Sequence, residues 1–151
     1  MNNRVLTLKP PRIAMAILIL AALLHWLTPL GEANLLARRF LAPPTGLAGF
    51  LLMIRAWWQF KQQQVAICPT EETAFLITDG VYRFTRNPMY LGMIMMLVAV
   101  AFWFGTVPYF AAATAFFLII RLVFCPYEER KLAASFGDEY RDYATQVRRW
   151  L

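Results

Sequence analysis

Charge is scarce in this chain, and so are histidine, cysteine and glycine motifs. Only 16% of the 151 residues are Asp, Glu, Lys or Arg, while 60% are hydrophobic. A soluble domain of this size needs a more polar exterior, so neither an ordinary soluble fold nor disorder fits. The one histidine, His25, and the two cysteines, Cys68 and Cys125, form no CxxC pair and cannot supply the four ligands of a structural zinc site. No metal site and no disulfide scaffold is therefore expected. The seven glycines include no GxG, which excludes a nucleotide-binding loop of the soluble dinucleotide-binding type. The net charge of +6 is not arranged as a basic stripe, so no nucleic-acid partner is expected.

What is present is long apolar runs. Ile13 to Leu30 carries no Asp, Glu, Lys or Arg and opens with an unbroken apolar stretch to Leu24. It follows Arg4, Lys9 and Arg12, but Gly31-Glu32-Ala33 is a poor cleavage site, so a retained span is favoured over a signal peptide. A second run extends from about Pro44 to Phe60. Its prolines suit a helix start, and Trp57 and Trp58 suit a membrane interface towards which Arg55 can snorkel. Residues 87–120 contain no charge at all, too long for one ordinary span. Gly105-Thr106-Val107-Pro108 divides them into a hairpin, 88–104 and 109–125, with a kink expected at Pro126. The expected fold is all-α: one integral membrane domain over 1–151, a four-helix bundle with spans near 13–30, 44–60, 88–104 and 109–125. Leu132, Phe136, Tyr140 and Tyr143 then read as the apolar stripe of a C-terminal amphipathic helix on the cytoplasmic membrane surface.

The few charges set the topology. With four spans, one side holds Arg4, Lys9, Arg12, Lys61, Arg83, Arg86, Arg130, Lys131, Arg141, Arg148 and Arg149, and the other only Arg38 and Arg39. The positive-inside rule puts both termini in the cytoplasm. Of the acidic residues, only Glu32 falls on the far side. No span contains an acidic residue, which argues against a proton-coupled carrier.

Two polar segments flank the hairpin on the cytoplasmic side. In the first, Asp79-Gly80 is a turn signal, and Asn87-Pro88 reads as an N-cap followed by the first helical position. A helix start beside Arg83 and Arg86 is also a place for an anion. In the second, Glu128 and Glu129 are adjacent. Such a pair at a membrane edge ordinarily faces water, but the seven-residue interval from Arg121 predicts that Arg121 and Glu128 share a helix face.

The segments read L-x-T-x-G-x-Y-R-x-x-R-N-P-x-Y-L-G over 76–92, then E-E-x-x-L-x-x-x-F-G-x-E-Y-x-x-Y over 128–143, with a closing Arg149-Trp150. In this order, separated by a hairpin, they resemble the isoprenylcysteine carboxyl methyltransferase-like family, which is related to the phospholipid methyltransferases. The resemblance covers residues 74–151; the first two spans match only as apolar segments. It implies an integral membrane methyltransferase using S-adenosylmethionine, with the lipid bilayer and a lipophilic or small-molecule acceptor (carboxylate, amine or thiol) as partners. It implies further that Ala74, Phe75, Leu76, Ile77 and Tyr82 line a nucleoside pocket. Asn87, Pro88, Met89 and Tyr90 would form the helix-start element meeting the cofactor. Glu128 would bind from the last helix, and Glu128 or Glu129 would act as base for an amine. For Phe75, Leu76, Ile77 and Met89 the plain alternative is core packing. Two departures, Asn87 in place of a histidine and Phe124 in place of an arginine, weaken the case for an isoprenylcysteine substrate. The competing reading is a non-enzymatic four-helix membrane protein, such as a small transporter or assembly subunit.

Overall fold

The computed structural model describes residues 9–27, 36–62 and 75–151. Among these residues the only regular structure is helical, with no strand. Helix α1 is Pro10–Leu27, α2 is Ala42–Gln62, α3 is Pro88–Phe104, α4 is Val107–Ile119 and α5 is Cys125–Gln146. A π turn, Ile120–Phe124, joins α4 to α5 without a break, so the two run on continuously from Val107 to a kink at Gly137 within α5. Three stretches are long and apolar enough to cross a membrane: Pro10–Leu27, Arg38–Gln62 and Val107–Gln146. The 17-residue α3 is as apolar and spans about 25 Å at 1.5 Å per residue, close to the hydrocarbon thickness.

The helix boundaries follow from the local chemistry. Pro10 and Pro88 sit at helix starts, where their missing N–H groups cost little. Gly105 ends α3 in the left-handed conformation (φ 64°), and its N–H donates to the Ala101 carbonyl at 2.7 Å. Thr106 and Pro108 then open α4, giving the tight hairpin that the Gly-Thr-Val-Pro break predicts. Two spans begin earlier than the sequence pattern implies. Helix α1 starts at Pro10 rather than Ile13, and its expected end at 28–30 lies outside the described residues. The second span is preceded by a π turn, Ala37–Leu41, so Pro43 and Pro44 fall inside the first turn of α2.

The helices α2 and α3 pack along each other, and α1 lies against α4. At the α2–α3 crossing Gly49 and Gly92 face one another. A Cβ built on Gly92 would stand 2.6 Å from the Gly49 carbonyl oxygen, so only two glycines allow this approach. Leu97, Ala113, Phe116, Ile120 and Phe124 fill the α3–α4 seam, and Ala21 of α1 meets Ala101, Tyr109 and Ala112. Apolar side chains such as Leu20, Leu23, Leu47 and Leu122 point outward, the arrangement expected where lipid rather than water surrounds the bundle. Trp57 and Trp58 are among them, and Lys61 lies over the Trp57 ring.

Three expectations need correction. The irregularity expected at Pro126 lies just before it, as the Ile120–Phe124 π turn, while the non-helical backbone occurs at Gly137 (φ 54°, ψ −120°). Proline cannot donate to the fourth residue back, and a widened turn absorbs that loss. The same π turn undoes the predicted Arg121–Glu128 alignment. An extra residue in one turn rotates the rest of the helix by roughly 100°, so Arg121 faces outward near Phe117 while Glu128 faces the bundle. The apolar stripe of α5 also divides at Gly137: Leu132 and Phe136 remain half-buried, but Tyr140 and Tyr143 turn into the protein.

Candidate functional site

The two polar segments meet around one cavity of about 390 Å³, within the usual range for small-molecule and cofactor pockets. Its walls come from Lys9 and the start of α1, the end of α2, the segment 75–93, the first turns of α5 and, beyond Gly137, Tyr140 and Tyr143. Phe75, Leu76, Ile77, Tyr82, Asn87, Pro88, Met89, Tyr90, Glu128 and Glu129 all line it. Ala74, the remaining expected residue, lies outside the described residues.

The wall formed by 75–82 is held by a residue of α2. Gln59 reaches across: its side-chain oxygen accepts from the Val81 N–H at 3.1 Å, and its amide donates to the Asp79 carbonyl at 3.3 Å. These bonds secure a short 3-10 turn, Gly80–Arg83, entered through Gly80 in the left-handed conformation (φ 57°). The turn buries Tyr82 against Ala56 and Ile77, with Phe60 edge-on to its ring. From the other side the Tyr143 hydroxyl donates to the Tyr82 carbonyl at 2.7 Å. Burial pushes the Tyr143 phenol up to about 12 and raises Tyr82 as well, so both stay neutral near pH 7.

The helix-start element differs from the simple cap. Asn87 does stand before Pro88, but its side chain bonds no backbone N–H of α3. Its amide donates instead to the Arg149 carbonyl at 3.2 Å, and its oxygen accepts weakly from the Cys125 thiol. The Asn87 backbone carbonyl takes the Leu91 N–H at 2.9 Å, so the helix starts normally without side-chain help. The closing residues thus lie against the start of α3. Thr85 Oγ1 donates to the Arg149 carbonyl at 3.0 Å, and the Arg86 N–H to the Arg148 carbonyl at 3.0 Å.

The two adjacent glutamates have different surroundings. Glu129 is gripped by Arg149 through two parallel bonds of 2.8 and 2.6 Å, with Arg86 at 3.4 Å. The pairing raises the Arg149 guanidinium further above its ordinary value. Arg86 also donates to the Tyr140 hydroxyl at 3.1 Å. Glu128 has no arginine partner among these contacts; it accepts from the Tyr90 hydroxyl. Burial pushes the Glu128 carboxyl up to about 7, opposed by the Tyr90 hydrogen bond and the Lys131 charge and assisted by the neighbouring Glu129. A carboxylate paired with two arginines thus lies beside one poised between its two protonation states.

Sequence reasoning did not assign Lys9, Pro10, Pro11, Phe60, Met93 or Leu132 to this cavity, and it placed Tyr140 and Tyr143 on a membrane surface. Gln59 was hidden inside an apolar span. The signals available were weak: a Lys-Pro-Pro flank and one polar residue near a span end.

The sequence pattern of the phospholipid methyltransferase family matches residues 37–139. An uncharacterized protein of Haemophilus influenzae is 40% identical over 63 residues, 42% of this chain and all of that protein. Methanethiol S-methyltransferase 1 of Bradyrhizobium diazoefficiens is 40% identical over 75 residues, 46% of this chain and 24% of that enzyme. The methanethiol S-methyltransferase of Mycobacterium tuberculosis is 39% identical over 71 residues, 44% of this chain and 26% of that enzyme. The match therefore spans about a quarter of either methanethiol enzyme. No solved structure matches the chain significantly.

Proposed function

The chain belongs to the phospholipid methyltransferase family, and on that premise we propose that it transfers a methyl group from S-adenosylmethionine to a lipophilic or small acceptor at the cytoplasmic membrane face. The observation that carries this reading is the convergence of both motif segments, on either side of the hairpin, on one cavity. The donor set suits the cofactor. Phe75, Leu76, Ile77 and Tyr82 offer an apolar and aromatic wall for a nucleoside. Glu128 offers a carboxylate for a cationic group, and Arg86 and Lys9 offer positive charge for a carboxylate. When bound, S-adenosylmethionine supplies an electrophilic methyl group on a positively charged sulfur.

The work left to the protein is alignment, exclusion of water and, for some acceptors, removal of a proton. Of the two glutamates named as bases, Glu128 suits that role. Its carboxyl stands near 7, so its ionised form is available and can accept a proton at physiological pH. Glu129 is held by Arg149 and Arg86 and acts as a fixed charge. A base of this kind serves an acceptor that must lose a proton, a thiol or an amine, better than a carboxylate, which needs none. The thiol reading agrees with the names of the two methanethiol enzymes, and the amine reading with that of the family. The excess of Lys and Arg on one side supports the cytoplasmic placement.

Calorimetry on the detergent-purified protein tests the reading. S-adenosylmethionine is expected to bind, with weaker affinity for Glu128→Gln and unchanged affinity for Arg38→Ala. An absence of binding heat refutes the enzyme reading, and equal affinity in both variants refutes the site. Methyl-labelled cofactor offered with methanethiol or with phosphatidylethanolamine vesicles then separates thiol from amine.

A further inference from the structure

We infer that Arg149 is a positioning residue for this cavity: its side chain locks Glu129, and its carbonyl ties Asn87, so that the C-terminal strap sets how the glutamate pair and the start of α3 face the site. The inference rests on the methyl-transfer reading above for what the site does, and on independent contacts for its geometry.

Those contacts form a closed set. The guanidinium holds both Glu129 oxygens, at 2.8 and 2.6 Å. The same residue's carbonyl accepts from Thr85 Oγ1 at 3.0 Å and Asn87 Nδ2 at 3.2 Å. Trp150 anchors the strap, packing on Phe117 with ring centroids 5.4 Å apart and against the α3–α4 core. One residue thereby joins the first turn of α5 to the start of α3. Paired, partly shielded bonds of this kind exceed an exposed ion pair in strength and define orientation.

The lock matters because Glu128 is the next residue. Adjacent residues on a helix point about 100° apart, so fixing Glu129 towards Arg149 fixes the direction in which Glu128 leaves the helix. That direction brings it to the Tyr90 hydroxyl. Glu128 is influenced by Tyr90 on α3, Lys131 and Glu129 on its own helix, and its charge is felt by Tyr82 and Cys125. Glu129 faces Arg86, Arg149 and Tyr140. Lys9, just before α1, completes the ring of ionisable groups. Removing Arg149 leaves the Glu129 charge balanced by Arg86 alone and lets it act more strongly on Glu128.

The test uses the full chain in detergent, with carboxyl-labelled glutamate followed by carbon NMR and with S-adenosylmethionine binding followed by calorimetry. The Glu128 resonance is identified by its loss in Glu128→Gln. Arg149→Met keeps the backbone carbonyl and removes the lock. Its Glu128 midpoint is expected to rise by about half a pH unit or more, and cofactor affinity to fall about tenfold. Arg149→Lys keeps the charge without the fork, and should restore most of the midpoint but not the affinity. A midpoint and affinity equal to the parent's in Arg149→Met, even with a lowered melting temperature, would show a purely structural role and overturn the inference. If Arg149→Met does not fold, unchanged affinity in Arg149→Lys overturns it. If the parent protein binds no cofactor, the methyl-transfer reading fails, while the Glu128 titration still decides whether Arg149 positions the pair.

Discussion

The Tyr90 hydroxyl, in the first turn of α3, donates a hydrogen bond to Glu128, which stands in the first turn of α5, 38 residues further along the chain. The contact joins the two polar segments across the mouth of the hairpin. It depends on the π turn at Ile120–Phe124, since a regular helix through that stretch would point Glu128 elsewhere. The turn thus does for the site what the hairpin does for the fold: it brings distant sequence into register.

This pair makes stability depend on pH. The Glu128 carboxyl stands near 7 in the fold against an ordinary value of 4.5. Between those values the folded chain holds a proton that the unfolded chain releases. The contribution is fully present below about pH 4.5 and is lost as pH rises through 7, with a ceiling of about 3 kcal/mol. The melting temperature of the ligand-free protein should therefore fall between pH 5 and pH 8, and Glu128→Gln should flatten that slope. Tyr90→Phe removes a bond that favours the ionised form, so its Glu128 midpoint should lie higher than the parent's. A lower or unchanged midpoint in an NMR titration would contradict this account.

Much of this arrangement was legible in the sequence, for identifiable reasons. The helix α3 has the limits expected of the third apolar segment, 88–104, because Pro88 and Gly105 act locally and independently of tertiary context. Nearly every residue that the family resemblance implied for the site lines the cavity. What could not be read was tertiary. The Asn87 amide turns to Arg149, 62 residues away, instead of capping its own helix. Arg121 and Glu128 diverge because a π turn leaves no period in an apolar run to reveal it. Gln59 looked like an ordinary polar residue near a span end, and only the fold shows the turn it holds.

Gln59 is accordingly expected to matter to the cavity more than to the bundle. Gln59→Leu keeps the volume near Ala56 and Phe60 but leaves the Val81 N–H and Asp79 carbonyl without this partner. Each lost bond is worth about 1 kcal/mol. The turn carrying Tyr82 should loosen, cofactor affinity should drop severalfold, and faster hydrogen exchange at Val81 should accompany it. Unchanged exchange at Val81 would show that the turn does not need Gln59.

Topology gives a prediction independent of the cavity. In the proposed four-span arrangement eleven of the fifteen basic residues would fall on one side and only Arg38 and Arg39 on the other, with Arg55 and Arg121 within spans. A phosphatase or fluorescent reporter fused after Leu151 should report the cytoplasm, whereas one inserted at Arg39 should report the opposite side. Cytoplasmic signal from both fusions would require an odd number of crossings between them to be abandoned, and with it the placement of the cavity at the cytoplasmic face.

The α2–α3 crossing decides whether the walls of the cavity meet at all, and it rests on two glycines. A Cβ on Gly49 would come within 2.8 Å of the Gly92 carbonyl oxygen and 2.8 Å of Met95 Cβ, while one on Gly92 would come within 2.6 Å of the Gly49 carbonyl oxygen. Both obstacles include backbone, which cannot swing aside as a side-chain tip can. Either alanine must push the helices apart, at about 1–3 kcal/mol for overpacking. Separation at this crossing is transmitted to Ala56, Gln59 and Phe60 further along α2, which support the Tyr82 wall. Gly49→Ala and Gly92→Ala should each lower the melting temperature and weaken cofactor binding together. Gly137→Ala is a control of another kind. It has open space for a Cβ but a positive φ of 54°, so it should strain the helix without separating α2 from α3. If the Gly49 and Gly92 variants melt like the parent, the close approach of the two backbones is not what holds these helices.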